Sequence, residues 1–147
     1  MILEQSGTLA PANEPWTLIR DAIHDLELQE KQEGVRIDMG IWHARGGVTC
    51  HQCLAGSVMS RRLGADTDDH ASPDNFPRDV RARLRALNLL RAGEVNAAYN
   101  HLGLKRPGTL PARVPIPRYE DGPDAFKAAM LKLADRLESA QPEPTNQ

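Results

Sequence analysis

The sequence predicts a mainly α single domain, a bundle of about four to five helices that becomes α+β through a short β-hairpin within residues 35–49. Three observations lead there. The 147 residues suffice for one core but not comfortably for two. The hydrophobic 40% contains only two Trp, two Tyr and two Phe, so Leu, Ile, Val, Met and Ala must build the interior, which favours helix packing over an aromatic sandwich. Apolar residues also recur at helical spacing in several stretches separated by Gly and Pro.

Residues 1–12 lack periodicity and are expected to form an N-terminal arm, leaving 13–141 as the globular domain and 142–147 as a frayed tail. Asn13-Glu14-Pro15 offers a cap and a first-turn proline, after which Trp16, Ile19, Ile23 and Leu26 mark a helix that stops at Gly34. Trp16 is expected to anchor the core. Val35 to Val48 shows no helical period. There Arg45-Gly46-Gly47, between Ile41-Trp42 and Val48-Thr49, is a candidate hairpin turn.

Thr49 followed by Gln52 fits a capping box, which would begin a helix at Cys50 and carry it through Leu54 and Val58 to Gly64. Gly56 inside it costs about 1 kcal/mol relative to Ala, a loss that close approach of another backbone would offset. Residues 65–77 are polar and turn-forming. A helix over 78–91 follows, with Val80, Leu84, Leu87 and the Arg91 stem on one face, then a break at Gly93 and a short helix over 94–102. The Pro- and Gly-rich segment 103–123 cannot be helical, but Leu110, Val114, Ile116 and Tyr119 would hold it as an ordered strap. Phe126, Met130, Leu133 and Leu137 define a last helix that either completes the core or meets a second copy in a homodimer.

Composition excludes several classes. Eighteen basic against twenty acidic residues, net −2, give no global attraction to nucleic acid. The start lacks a secretory pattern and no apolar run approaches the roughly 18 residues of a membrane span, so a cytoplasmic protein without membrane contact is expected. Cys50 and Cys53 close too short a loop to staple a fold.

The Cys50-x-x-Cys53 pair has three readings. As packing residues, both thiols would share one helical face beside Ala55-Gly56-Ser57. As metal ligands, they would join two of His43, His51 and His70 around zinc, best His43 and His70 because His51 would leave the helix in another direction, although no second tight knuckle is present. As a nucleophile, Cys53 or Cys50 would work with His70 or His101 as base and an aspartate such as Asp74 as orienter, its thiolate favoured by first-turn amides unless apolar burial opposes it. Cys50-His51-Gln52-Cys53-Leu54-Ala55 resembles the nucleophile helix of papain-like proteases but lacks the tryptophan after the cysteine. A thiol-redox role lacks a strong preceding strand. Asp66, Asp68, Asp69 and Asp74 lack the spacing of a calcium loop.

Arg78, Arg81 and Arg85 share a helical face, with Arg83 and Arg91 nearby, that could meet phosphates. The strap offers Arg113, Arg118 and Tyr119 as a second contact surface.

Asp38-Met39-Gly40-x-Trp42-His43, Cys50-x-x-Cys53-Leu54-Ala55-Gly56-x-Val58-Met59 and Leu87-Asn88-x-Leu90-Arg91-x-Gly93 resemble a family of small proteins encoded by tailed phages and prophages. The resemblance extends through Phe126 and the last helix, and implies a bacterial host cytoplasm rather than a particular activity. The leading expectation is therefore a phage accessory protein that binds a host or phage protein without catalysis. A metal- or thiol-dependent enzyme centred on Cys50 and Cys53 is the alternative, and a nucleic-acid-binding protein using Arg78, Arg81 and Arg85 the second.

Overall fold

Pro15 occupies the first position of α1 (Pro15–Glu30), where its missing N–H costs nothing and its fixed φ suits the helix. Glu14 is the N-cap but makes no side-chain cap bond. The structure, a computed structural model, describes residues 14–46, 49–64 and 71–140, with backbone alone at 45, 46, 49 and 50. The expected arm over 1–12 and the tail over 142–147 lie outside the described residues. Leu18, Ile19, Ala22, Ile23 and Leu26 form the buried stripe of α1, and Trp16 packs half-buried against the core.

Gly34 turns the chain at φ 82° into a three-stranded sheet of β1 (Val35–Ile37), β2 (His43–Gly46) and β3 (Thr49–Gln52). The order is β1-β3-β2, with β1 parallel and β2 antiparallel to the central β3. Gly46 pairs with Thr49, so β2 and β3 form a hairpin, but Arg45 and Gly46, expected in its turn, are paired residues of β2, and residues 47–48 lie outside the described residues.

The helix start expected at Thr49 is corrected. Thr49 to Gln52 is a strand, and Cys53 caps α2 (Leu54–Leu63) four residues later than the Thr49–Gln52 capping box would have it. Tertiary pairing decides this: β3 has a partner on both sides, whereas a single first helical turn satisfies few backbone groups. Gln52 does not return to a cap. Its buried amide accepts from Gln29 Nε2 at 2.9 Å and donates to Ser60 Oγ at 2.6 Å, tying β3 to α1 and α2. Cys50 and Cys53 therefore belong to different elements and do not share a helical face.

α3 (Arg78–Arg91) follows a 3-10 turn at Pro73–Asn75 that Ser72 caps. It ends in a Schellman arrangement: Glu94 N–H donates to Leu89 O and Gly93 N–H to Leu90 O, both at 2.9 Å, with Gly93 at φ 80°. α4 (Val95–Leu102) has no side-chain cap; its first amides, Val95 and Asn96, donate instead to Ala112 O of the strap at 2.9 and 3.1 Å. Val114 N–H returns to Gly93 O at 2.8 Å. The strap thus behaves as one short extended segment laid on the α3–α4 corner.

α5 (Pro123–Ser139) buries Phe126, Met130, Leu133, Ala134 and Leu137, largely against α1. The mainly α domain with a small sheet is as expected. Among the described residues no helix is long and apolar enough to cross a membrane.

Gly56 sits where α2 crosses the backbone of Trp42: a Cβ there would stand 1.7 Å from the Trp42 carbonyl oxygen. Gly56→Ala should lower stability by roughly 3 kcal/mol, because backbone must move to admit the methyl group, outweighing the about 1 kcal/mol helical gain. Gly64→Ala, at φ 76° with no atom within 4 Å of its Cβ, should cost only about 1 kcal/mol. Urea midpoints of the two variants measure the contrast, and equal midpoints would contradict the close-approach account.

Candidate functional site

The residues singled out by chemistry fall into three places. The first is the β3–α2 junction. Cys53 is 2% exposed, and its sulfur accepts the Gly56 N–H at 3.4 Å. Burial pushes its thiol pKa up, and the Gly56 bond and the Arg91 charge only partly oppose this. The first-turn lowering expected from helix amides is therefore overridden, since an apolar surround disfavours thiolate more than one amide favours it.

His43 is 1% exposed in β2, and its carbonyl accepts from Ala71 N–H at 3.2 Å. His51 Nδ1 lies 3.9 Å from Asp38 Oδ2, an electrostatic contact only when the imidazole is protonated. Of the zinc quartet Cys50, Cys53, His43 and His70, the last lies outside the described residues, and Cys50 is described by backbone only. Among the described residues no three His, Cys, Asp or Glu side chains converge as metal ligands would. The nucleophile set Cys53, His70 and Asp74 fares similarly: Asp74 is exposed, its Oδ1 accepts from Arg85 at 2.6 Å, and this bond lowers its pKa. His101 is exposed at the end of α4.

The second place is the N-terminal half of α3. Arg78 is exposed and Arg81 half-buried, while Arg85 is engaged by Asp74. Arg83 packs inward with Asp79 at 3.3 Å. The local acids therefore neutralise part of the charge that the arginine spacing suggests.

The third place is the strap. Leu110 is buried, and Val114, Ile116 and Tyr119 pack against the core, so the apolar anchors face inward. The outward side carries Arg113, 3.4 Å from Glu94, and Arg118, 3.6 Å from Glu120. Tyr119 stacks edge-on against Phe126 with centroids 5.7 Å apart, and its hydroxyl donates to Glu30, which also accepts from Lys127 Nζ at 2.8 Å. Burial first, then the Glu30 carboxylate, pushes the Tyr119 phenol above its ordinary range.

Between strap, α3 and α5 lies a cleft of about 250 Å³ lined by Met39, Arg91, Ile116, Arg118, Tyr119 and Phe126, among others. Arg118 and Tyr119, expected as contact residues, reach this cleft; Arg78 does not, lying about 20 Å from Arg91 along α3 by helical rise. Met39 is not among the expected site residues, and Arg91 enters the expectation only as a neighbour of the α3 arginine face. The usable signal was Arg91 itself, a cation continuing the apolar stripe of Val80, Leu84 and Leu87. No family model, curated protein or solved structure matches this chain. Its function is therefore argued from these residues.

A second buried polar contact shows how charge is handled elsewhere. Arg62 Nε donates to Asp25 Oδ2 at 2.6 Å across α1 and α2. Burial raises the Asp25 pKa, and Arg62 offsets part of that penalty.

With Cys50→Ser in place, Cys53 should react with iodoacetamide at least ~100-fold more slowly in the native protein than in urea, since exposure requires opening of the fold. The pH dependence has a fixed sign. The native thiol keeps its proton above the ordinary value of about 8.5, so the unfolded chain releases its proton first. Stability therefore falls as pH rises past that value, more steeply than in Cys53→Val; parallel slopes in urea titrations would refute it.

Proposed function

We propose that this chain is a small accessory protein, of phage or prophage origin, that acts by binding a host or phage protein rather than by catalysis. One observation carries the reading. The strap over 103–123 carries four cations, Lys105, Arg106, Arg113 and Arg118, against two carboxylates, Glu120 and Asp121, in a chain whose net charge is −2. This basic segment is fixed in place by the Gly93, Val95 and Asn96 backbone bonds and by the inward apolar anchors.

A fixed basic strap lowers the ordering cost of association and complements an acidic partner surface, which governs encounter and register more than raw affinity. Its outward face is prolines and arginines, and Leu131 of α5 is the exposed large hydrophobic residue among those described. The interface is therefore polar rather than a broad apolar patch. The phage context rests on the sequence resemblance, whose Cys-Leu-Ala-Gly segment forms the α2 docking contact.

A photo-crosslinking amino acid placed at exposed Pro117, with exposed Lys132 on α5 as the control position, tests this in bacterial cells that carry the protein. The expected result is a discrete protein adduct from position 117, identified by mass spectrometry, competed by unlabelled protein and reduced several-fold by Arg113→Glu with Arg118→Glu. Indistinguishable adducts from the two positions, or adducts with nucleic acid alone, would overturn the reading.

A further inference from the structure

Arg91 stands at an apolar position of α3. Val80, Leu84 and Leu87 precede it on the same stripe and are buried, so the helix turns this guanidinium towards the core side rather than to open solvent. It is half-buried at the wall of the strap cleft, near enough to Cys53 for its charge to act on the thiol.

A guanidinium has five N–H donors. Nε and one Nη2 donor of Arg91 go to Asn88 Oδ1, at 3.1 and 2.7 Å. The other three meet no partner among the described residues, and no described carboxylate lies within ion-pair distance. The contrast with the comparably buried Arg62, which reaches Asp25 at 2.6 Å, shows what such a cation ordinarily requires. The C-terminal end of α3 supplies a partial negative charge of roughly half an electron, which balances only part of a full positive one.

Met39, Ile116 and the Tyr119–Phe126 pair form the apolar and aromatic part of the remaining wall, and Arg118 adds an exposed cation. Glu120 also lines the cleft, but it lies within 3.6 Å of the exposed Arg118, leaving Arg91 as the more enclosed charge. At about 250 Å³ the cleft falls below the roughly 300–1,000 Å³ of sites for drug-sized ligands, and it suits one or two side chains.

The geometry points to a carboxylate-receiving pocket: Arg91 pairs with a Glu or Asp side chain of the bound protein, and an apolar residue next to that acid packs on the half-buried Ile116 and Tyr119. This deepens, and rests on, the reading of the strap as a protein-binding surface. The guanidinium fork matches a carboxylate in two parallel bonds, which gives the contact orientation as well as attraction.

The test uses isotope-labelled full-length protein with two probe peptides, acetyl-Leu-Glu-Phe-amide and acetyl-Leu-Gln-Phe-amide, and sodium acetate. The Glu peptide should shift the Arg91 Nε–H and Met39 methyl resonances and bind about tenfold more tightly than the Gln peptide. Arg91→Gln should erase that difference, Arg91→Lys should restore part of it, and Arg85→Gln should leave it intact. Equal binding of the two peptides, or shifts centred on Arg78, Arg81 and Arg85, would overturn the pocket. Acetate binding as tightly as the Glu peptide would overturn a side-chain occupant in favour of a small free anion. A partner still crosslinked from position 117 at undiminished yield in Arg91→Gln overturns the pocket while the protein-binding reading stands. Glu-selective peptide binding without any such partner supports the pocket and removes that reading.

Discussion

The bare Cα of Gly56 lets the Trp42 carbonyl lie directly against α2, and much of the fold is arranged around that contact. α2 touches the sheet on this side and meets α1 and α3 on others, so its seat on the chain before β2 positions the hairpin, the first helix and the α3 stripe together. A methyl group at position 56 could be accommodated only by moving backbone, because both sides of the contact are main chain. Cys53 completes the junction as a small capping residue whose sulfur accepts the Gly56 amide, a role that burial and a raised pKa suit well. Gln52 then distributes the same junction into the two neighbouring helices through hydrogen bonds on both ends of its amide.

The same device recurs at the α3–α4 corner. Gly93 adopts a left-handed conformation that ends α3, and its missing Cβ lets Val114 O approach to a distance a side chain would forbid. The strap repays this by accepting from the first amides of α4, so a helix without a side-chain cap is capped by distant backbone. Regular structure and strap are in this sense mutually dependent: removing the strap would leave α4 amides unsatisfied, and removing the corner would leave the strap with only its apolar anchors.

Charge is placed with corresponding economy. Arg62 crosses to Asp25, Lys127 and Tyr119 converge on Glu30, and Arg20 spans to Asp135 and Glu138 on α5. These pairs lock α1 to its neighbours, the exposed ones weakly because water screens them. Against that pattern Arg91 is unusual in facing an amide oxygen and a cleft, and the strap that walls the cleft is basic. Structural pairing and the proposed binding surface are thus separable: the first uses up carboxylates on α1 and α5, the second presents cations on the strap and at the end of α3.

Local pattern by itself determined the helices over 15–30, 78–91, 95–102 and 123–139, because apolar spacing, Pro at the start and Gly at the stop act within a few residues of one another. It also determined that a hairpin follows α1, although Arg45 and Gly46 pair within β2 instead of forming its turn, and it determined the inward anchors of the strap and the need for close approach at Gly56. It did not determine the state of Thr49 to Gln52. A cap-like quartet is locally indistinguishable from a strand, and the choice was made by β1, which arrives in parallel from fifteen residues upstream, together with the partners that α1 and α2 offer Gln52. Pairing partners far apart in the chain leave no mark at the residues they join. For the same reason the sequence left Cys53 open between a packing residue, a metal ligand and a nucleophile, whereas burial in the core pushes its thiol pKa up. The cleft is tertiary from the outset: Met39, Arg91, Tyr119 and Phe126 come from four separate segments, and only their packing reveals that the cation ending an apolar stripe meets no described carboxylate.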